Sequence, residues 1–173
     1  MGRTSKRQSA GKGAGTPAST SGVQKNRQYK AGIYARLSAD INEKKNESVE
    51  VQIEIAKKFI EEWNGKHTDK IEVADCYIDL GKTGINFNRD SFQRLMQDVR
   101  IGDINCVIVK DLSRFGRNYL EAGNYIEKIF PFLGVRFIAV ADGFDTGAGG
   151  NETKQMVSEI KNLVNDMYAK DFS

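Results

Sequence analysis

Four times along this chain, a short strand-like run gives way to a stretch with helical apolar spacing. That alternation leaves few folds open. Ala31–Arg36 reads as the first strand. Ser48–Trp63 then places Val49, Ile53, Ala56, Ile60 and Trp63 on one helical stripe, with Ser48 as N-cap and Asn64-Gly65 as the stop. Ile71–Ile78 is the second strand. The next helix runs from about Arg89 to Arg100 on the stripe Phe92, Leu95, Met96 and Val99, and Gly102-Asp103 punctuates it. Cys106–Val109 is continuously apolar, as a central parallel strand covered on both faces must be. Asp111–Arg117 forms a polar turn into a helix that reaches about Phe130. Its buried face is Tyr119, Ala122, Ile126, Ile129 and Phe130, and Pro131 and Gly134 close it. Val135–Ala141 is the fourth strand, and Asp142–Gly150 reads as a mobile glycine-rich link. Glu152–Phe172 carries a last stripe of Met156, Ile160, Leu163, Val164 and Met167, roughly 30 Å of helix at 1.5 Å per residue. The expected fold is α/β: three layers, a central and mostly parallel sheet flanked by helices, right-handed crossovers, and a long C-terminal helix. Sites in such sheets form at the carboxyl ends of strands, where Ser38, Asp79, Lys110 and the Arg114 turn emerge.

Charge is unevenly placed. Residues 1–30 hold seven Lys and Arg and no Asp or Glu, so of the net +3 the remaining residues carry −4 (+3 less +7). The basic balance therefore belongs to a Ser-, Gly-, Thr- and Lys-rich leader too polar to order itself, and it does not argue for nucleic-acid binding by the folded part. The expected division is a disordered basic leader over 1–29 and one domain over 30–173. No apolar run is long enough to span a bilayer, and the leader lacks a signal peptide's apolar core. Cys76 and Cys106 sit in strand-like runs and His67 in a polar turn. They read as two buried thiols in a reduced cytosol, with no tetrahedral metal set and no metal expected.

Two clusters suggest chemistry. In Gly32-Ile33-Tyr34-Ala35-Arg36-Leu37-Ser38, strand alternation puts Tyr34, Arg36 and Ser38 on one face and Ile33, Ala35 and Leu37 toward the core. A hydroxyl near an arginine suits a phosphate diester, because the guanidinium grips phosphate oxygens and stays charged. The plainer reading is a solvated strand face. In Lys110-Asp111-Leu112-Ser113-Arg114-Phe115-Gly116-Arg117-Asn118, Arg114 and Arg117 are three apart and so share one face of a first helical turn. Helix N-termini attract anions, and a purely structural sequence would place Asp or Glu there; the alternative is a pair of surface salt bridges. Arg89 adds a third guanidinium. Asp79 holds an arginine or caps its loop, and Gln52, one turn past Ser48, supports the loop bearing Ser38. Two other function classes stay open. One is a non-catalytic α/β module that binds a phosphate ligand or dimerises. The other is a metal-dependent nuclease using Asp79, Asp111 and Asp142. Gly81-Lys82-Thr83 lacks the first glycine of a phosphate-binding loop, and Gly147-Ala148-Gly149-Gly150 matches no dinucleotide fingerprint.

Tyr34-Ala35-Arg36-Leu37-Ser38, then Ser48 through Gln52, then Leu112-Ser113-Arg114-Phe115-Gly116-Arg117 together resemble the catalytic domain of the serine recombinases, over about residues 29–172. The wording around Lys110–Asn118 and Asn165–Ser173 is most similar to large serine recombinases of transposon-like mobile elements. The resemblance implies a resolvase-like fold and a metal- and cofactor-free DNA strand transferase in the cytoplasm. Its nucleophile would be Ser38, flanked by Tyr34, Arg36, Arg89, Arg114 and Arg117, with Gln52, Asp79 and Ser48 supporting. It also implies double-stranded DNA at recombination sites as partner, a covalent 5′-phosphoserine intermediate, and a homodimer that becomes a tetramer in the active complex. Two family positions differ. Ser113 stands where small resolvases have an aspartate, and Asp98 where the family has a lysine; Lys170 is a stand-in for arginines of the last helix. A large recombinase continues into DNA-binding domains, so a catalytic fragment with weak specific DNA binding is the expectation.

Overall fold

The computed structural model describes residues 26–37, 48–80, 89–116 and 119–147, together with Gln155, Ser158 and Asn162 singly. Five strands form one sheet in the order β2-β1-β3-β4-β5. They are β1 (Gln28–Arg36), β2 (Lys70–Asp79), β3 (Cys106–Val109), β4 (Arg136–Ala139) and β5 (Phe144–Asp145). The first four are mutually parallel, and β5 runs antiparallel against β4. The chain steps from β1 outward to β2, then returns across β1 to start β3. Strand order thus reverses between β1 and β3, the place where open α/β sheets open a crevice at their carboxyl edge.

Two apolar clusters, one on each face of the sheet, make the three layers. Ala31, Ile33, Cys106, Ile108 and Ile138 face α1 (Val49–Lys66) through Ala56 and Ile60. Tyr34, Val107, Val109, Phe137 and Ala139 face the other way, against Phe92, Leu95, Met96 and Val99 of α2 (Asp90–Ile101) and a later helical run. The predicted stripes of both helices are thus the packed ones. Ser48 caps α1 by accepting from the Val51 N–H at 3.4 Å. Asn64, placed at the end of the helix by its sequence, also clasps the start of β2: its amide accepts from the Ile71 N–H and donates to the Ile71 carbonyl, both at 2.8 Å.

Several expectations need correction. β1 begins at Gln28 and pairs Gln28 with Lys70, so the leader's last residues belong to the sheet. Both faces of β1 are buried. Tyr34 is 0 % exposed, so the alternation separates two cores and leaves no solvated face at that residue. The predicted single helix after β3 is broken. α3 (Leu112–Phe115) stops at Gly116, which is extended, and the chain resumes as α4 (Tyr119–Asn124). A π-type turn over Tyr125–Ile129 then leads into α5 (Phe130–Leu133). Pro131 lies inside this run and does not end it. The preceding turn bonds Phe130 N–H back to the Tyr125 carbonyl, five residues away, a wider winding that accommodates the proline ring. Gly134 does close it, at φ 67°. β4 is shorter than predicted. The supposedly mobile link after it contains a turn and β5, pinned by an ion pair between Arg136 and Asp145 at 2.5 and 2.9 Å. Cys76 is half-buried, on the edge strand, whereas Cys106 is fully buried. Of the predicted last helix, Gln155, Ser158 and Asn162 are helical, and the rest lies outside the described residues.

Burial pushes the Cys106 thiol from its ordinary 9.0 up to about 12. The folded state therefore keeps a proton that the unfolded chain releases. This contribution to stability is complete below pH 9.0 and is lost progressively as pH rises toward 12, by up to about 1.4 kcal/mol per pH unit for one proton. Urea unfolding between pH 8 and 11 is expected to show a shallower alkaline decline in Cys106→Ala than in wild type; parallel declines would contradict the assignment.

Candidate active site

Three chain segments meet at the carboxyl edge between β2, β1 and β3. β1 delivers Tyr34 and Arg36, β2 ends at Asp79 opposite Arg36, and β3 runs into the turn that carries Arg114. Leu37 N–H still bonds to the Asp79 carbonyl at 3.1 Å, so the backbone is held to within one residue of Ser38. Ser38 and Arg117 themselves lie outside the described residues, as do Lys170 and the 81–88 loop.

Tyr34 joins this edge to the core. Its hydroxyl donates to Asp79 Oδ2 at 2.8 Å and accepts from Arg89 Nε at 3.3 Å. Burial raises its pKa against the opposing pull of the Arg89 charge, so the phenol stays protonated and remains a donor. Among the described residues, Asp79 makes no ion pair with an arginine. Its carboxylate accepts from the Ser91 and Phe92 N–H groups at 3.0 and 3.1 Å, capping α2 from a neighbouring strand. Arg89 is buried, and each of its nitrogens is engaged: Nε with Tyr34, Nη1 with both carboxylate oxygens of Glu121 at 3.1 Å, and Nη2 with the Phe115 carbonyl. Its guanidinium also lies 3.7 Å from the centre of the Phe92 ring. The third guanidinium read from the sequence is thus buried as a strut beneath the site.

Arg36 does comparable work one layer up. Nη2 donates to the Ser113 carbonyl at 2.7 Å and to the Gly116 carbonyl at 3.4 Å, and Nε donates to the Arg114 carbonyl at 3.2 Å. With Arg89 on Phe115, two guanidinium groups therefore satisfy four consecutive carbonyls, 113 to 116, that a helix of only four residues leaves open. Burial first, then the neighbouring charges of Arg89 and Arg114, lower the Arg36 pKa, partly offset by Tyr34. Gln52, buried on α1, locks the backbone of the same residue: its amide accepts from Arg36 N–H at 3.3 Å and donates to the Arg36 carbonyl at 3.1 Å. The expected support for the strand end bearing Ser38 is thus a two-way clasp on the residue two positions earlier.

Arg114 is the cation left over. It is 8 % exposed, and its Nε is buried with no hydrogen-bond partner among the described residues. An unmet donor on a permanent cation at a sheet's switch point is costly unless an anion completes it. The helix-terminus argument fails, however. Asp111 accepts from Arg114 N–H at 3.2 Å and Asp142 from Leu112 N–H at 2.7 Å, so carboxylates already occupy the start of α3. α3 itself stops at Phe115, and Gly116 is extended at ψ 159°.

The remaining carboxylates have structural partners too. Asp98 accepts from Tyr77 OH at 2.6 Å, and Ser113 Oγ donates to Asp111 Oδ1 at 2.5 Å. Among the described residues, no group of three or more His, Cys, Asp or Glu side chains is gathered to hold a metal ion, and no helix is long and apolar enough to cross a membrane. Two residues of consequence carry no motif. Arg136 was signalled only by a charge inside an apolar run. Glu121 had no signal at all, its partner being 32 positions away in sequence.

The model of the resolvase N-terminal domain matches residues 31–172. No curated protein sequence matches the chain. Among solved structures, a resolvase family site-specific recombinase from Streptococcus pneumoniae is similar at 27 % identity and a TM-score of 0.63, over 83 % of this chain and 93 % of that one. The N-terminal catalytic domain of TP901-1 integrase superposes with a TM-score of 0.62 at 23 % identity, over 82 % of this chain and 97 % of that one, a likeness of fold. With a family match across most of its length and the sheet and switch-point site described above, the chain belongs to the resolvase N-terminal domain family, that of the serine recombinases.

Proposed function

We propose that this domain breaks and rejoins double-stranded DNA through a covalent phosphoserine, in the service of excising or inserting a mobile element. The Ser38 hydroxyl attacks a backbone phosphorus. The P–O3′ bond breaks, the 3′ oxygen leaves with a proton, and the strand's 5′ phosphate stays esterified to Ser38. Reversal by another 3′ hydroxyl reseals the strand without an external energy source, since one phosphodiester is exchanged for another. Arg114 and Arg117 would meet the charge that builds on the non-bridging oxygens, with Arg36 beside them, so the step needs no metal ion. Tyr34, Arg89, Asp79, Gln52 and Ser48 hold this constellation and do not touch the phosphate. Duplex cleavage requires at least two copies, so a dimer and, for exchange between two sites, a tetramer are the proposed assemblies.

The observation that supports this best is the buried, unpartnered Nε of Arg114, in a turn that Arg36 ties to the strand end two residues short of Ser38. The test is covalent capture. The full-length protein is incubated in EDTA with a randomised duplex library, denatured and digested, and the modified peptide is read by mass spectrometry. A 5′-nucleotide on the peptide containing Ser38 is expected. Attachment elsewhere, or cleavage only on adding divalent ions, would overturn the reading.

A further inference from the structure

Arg89 bonds to both ends of one segment. It donates to the Phe115 carbonyl, where α3 ends, and to Glu121, six residues on in α4, with Nη1 3.1 Å from each carboxylate oxygen. Its remaining bond is to Tyr34, and the Phe92 ring lies against its guanidinium. α3 is a single turn flanked by an extended glycine, too short to hold itself by helix cooperativity. Asp111 and Asp142 cap its start and Phe115 anchors it in the core, while the carbonyl contacts made by Arg36 and Arg89 fix its C-terminal end and with it the setting of Arg114.

We propose that Glu121 is a positioning residue for strand cleavage: it orients the fork of Arg89, and Arg89 in turn holds the turn that presents Arg114. The idea rests on the reading given under Proposed function. A buried guanidinium seeks a carboxylate. If Glu121 is removed, one carboxylate open to Arg89 is Asp79, which is already linked to it through the Tyr34 hydroxyl. Arg89 swinging toward Asp79 would withdraw Nη2 from Phe115 and release one of the four carbonyls that fix the turn. Glu121 is the more accessible partner of the pair, at 29 % against 8 % for the Arg89 side chain. It can therefore be replaced without opening the core.

The test uses the full-length protein and the duplexes recovered by covalent capture. Glu121→Ala is expected to slow adduct formation at saturating duplex by at least tenfold, toward the roughly 10²-fold that a displacement of about 1 Å costs. Duplex affinity should stay within about twofold, because the residue acts on geometry and not on the bound charge. In an Arg89→Lys background, Glu121→Ala should add less than about twofold, since it acts through Arg89. Glu121→Gln, which keeps the shape and one acceptor oxygen, should lose about threefold and carries the test if the alanine variant does not fold. Rates within about twofold of wild type for the variants that fold, additive losses in the Arg89→Lys background, or loss confined to affinity would each overturn the proposal. If wild type attaches no DNA at Ser38, the functional reading fails instead. Hydrogen exchange at Arg89 Nε, followed by nitrogen-15 NMR, then decides the clasp alone: faster exchange in Glu121→Gln upholds it and unchanged exchange overturns it.

Discussion

Arg36→Ala is expected to slow covalent adduct formation by roughly 10³-fold or more, the largest loss of any single arginine at this site. Removing one preorganised donor from a developing oxyanion costs about 10²- to 10³-fold. Arg36 would supply that charge and also the bonds to the carbonyls of Ser113, Arg114 and Gly116. Its loss therefore removes a cation and frees the turn that carries another. Arg36→Lys separates the two roles. A lysine keeps the charge, but a single ammonium cannot reproduce a planar fork across three carbonyls, so it is expected to recover little of the rate. Single-turnover adduct formation at saturating duplex, with circular dichroism to confirm folding, measures both. Near-native rates for Arg36→Ala would leave the clamp without support. Full rescue by lysine would show that charge matters and the turn does not.

The largest effect on stability is expected at Gly32. A β-carbon there would lie 2.8 Å from Leu95 Cδ1 and 2.9 Å from Tyr77 Cε2, with Ile104 Cγ2 at 3.4 Å. All three neighbours are core side chains, Tyr77 being tied by its hydroxyl to Asp98. The register between β1 and β2 slips just before this residue. Overpacking a well-filled core costs about 1–3 kcal/mol and sometimes more. Gly32→Ala is expected near the top of that range, and Gly32→Val beyond it, a large part of the roughly 5–15 kcal/mol available to a domain. For urea unfolding with a slope of about 2 kcal/mol/M, the alanine variant's midpoint should fall by about 1.5 M. A midpoint unchanged in Gly32→Ala would mean that helix α2 gives way easily, against the close packing of Leu95.

Much of the architecture was legible because it depends on periodicity. Phe92, Leu95, Met96 and Val99 are buried as their spacing predicted, and β3 spans the apolar run Cys106–Val109. Ser48 opens a helix and Gly134 closes one where their chemistry said they should. In each failure the folded backbone or its packing changed what a local pattern meant. Pro131 should stop a helix, but a π-type turn before it lets the helix continue. The helix opened at Asp111 should run on past Arg114, but it stops at Phe115 and Gly116 is extended. Tyr34 should face solvent with Arg36, yet α2 covers it and its hydroxyl becomes a link in a buried chain.

By itself the sequence determined the elements, the α/β class and the family, because hydrophobic spacing, caps and the motifs around Arg36 and Arg114 are local properties that survive without coordinates. Only the tertiary structure decided what each cation does. The guanidinium groups of Arg36, Arg89 and Arg114 are alike in one dimension, and it is the carbonyls, carboxylates and rings brought beside them by folding that make two of them braces and leave the third with an unmet bond.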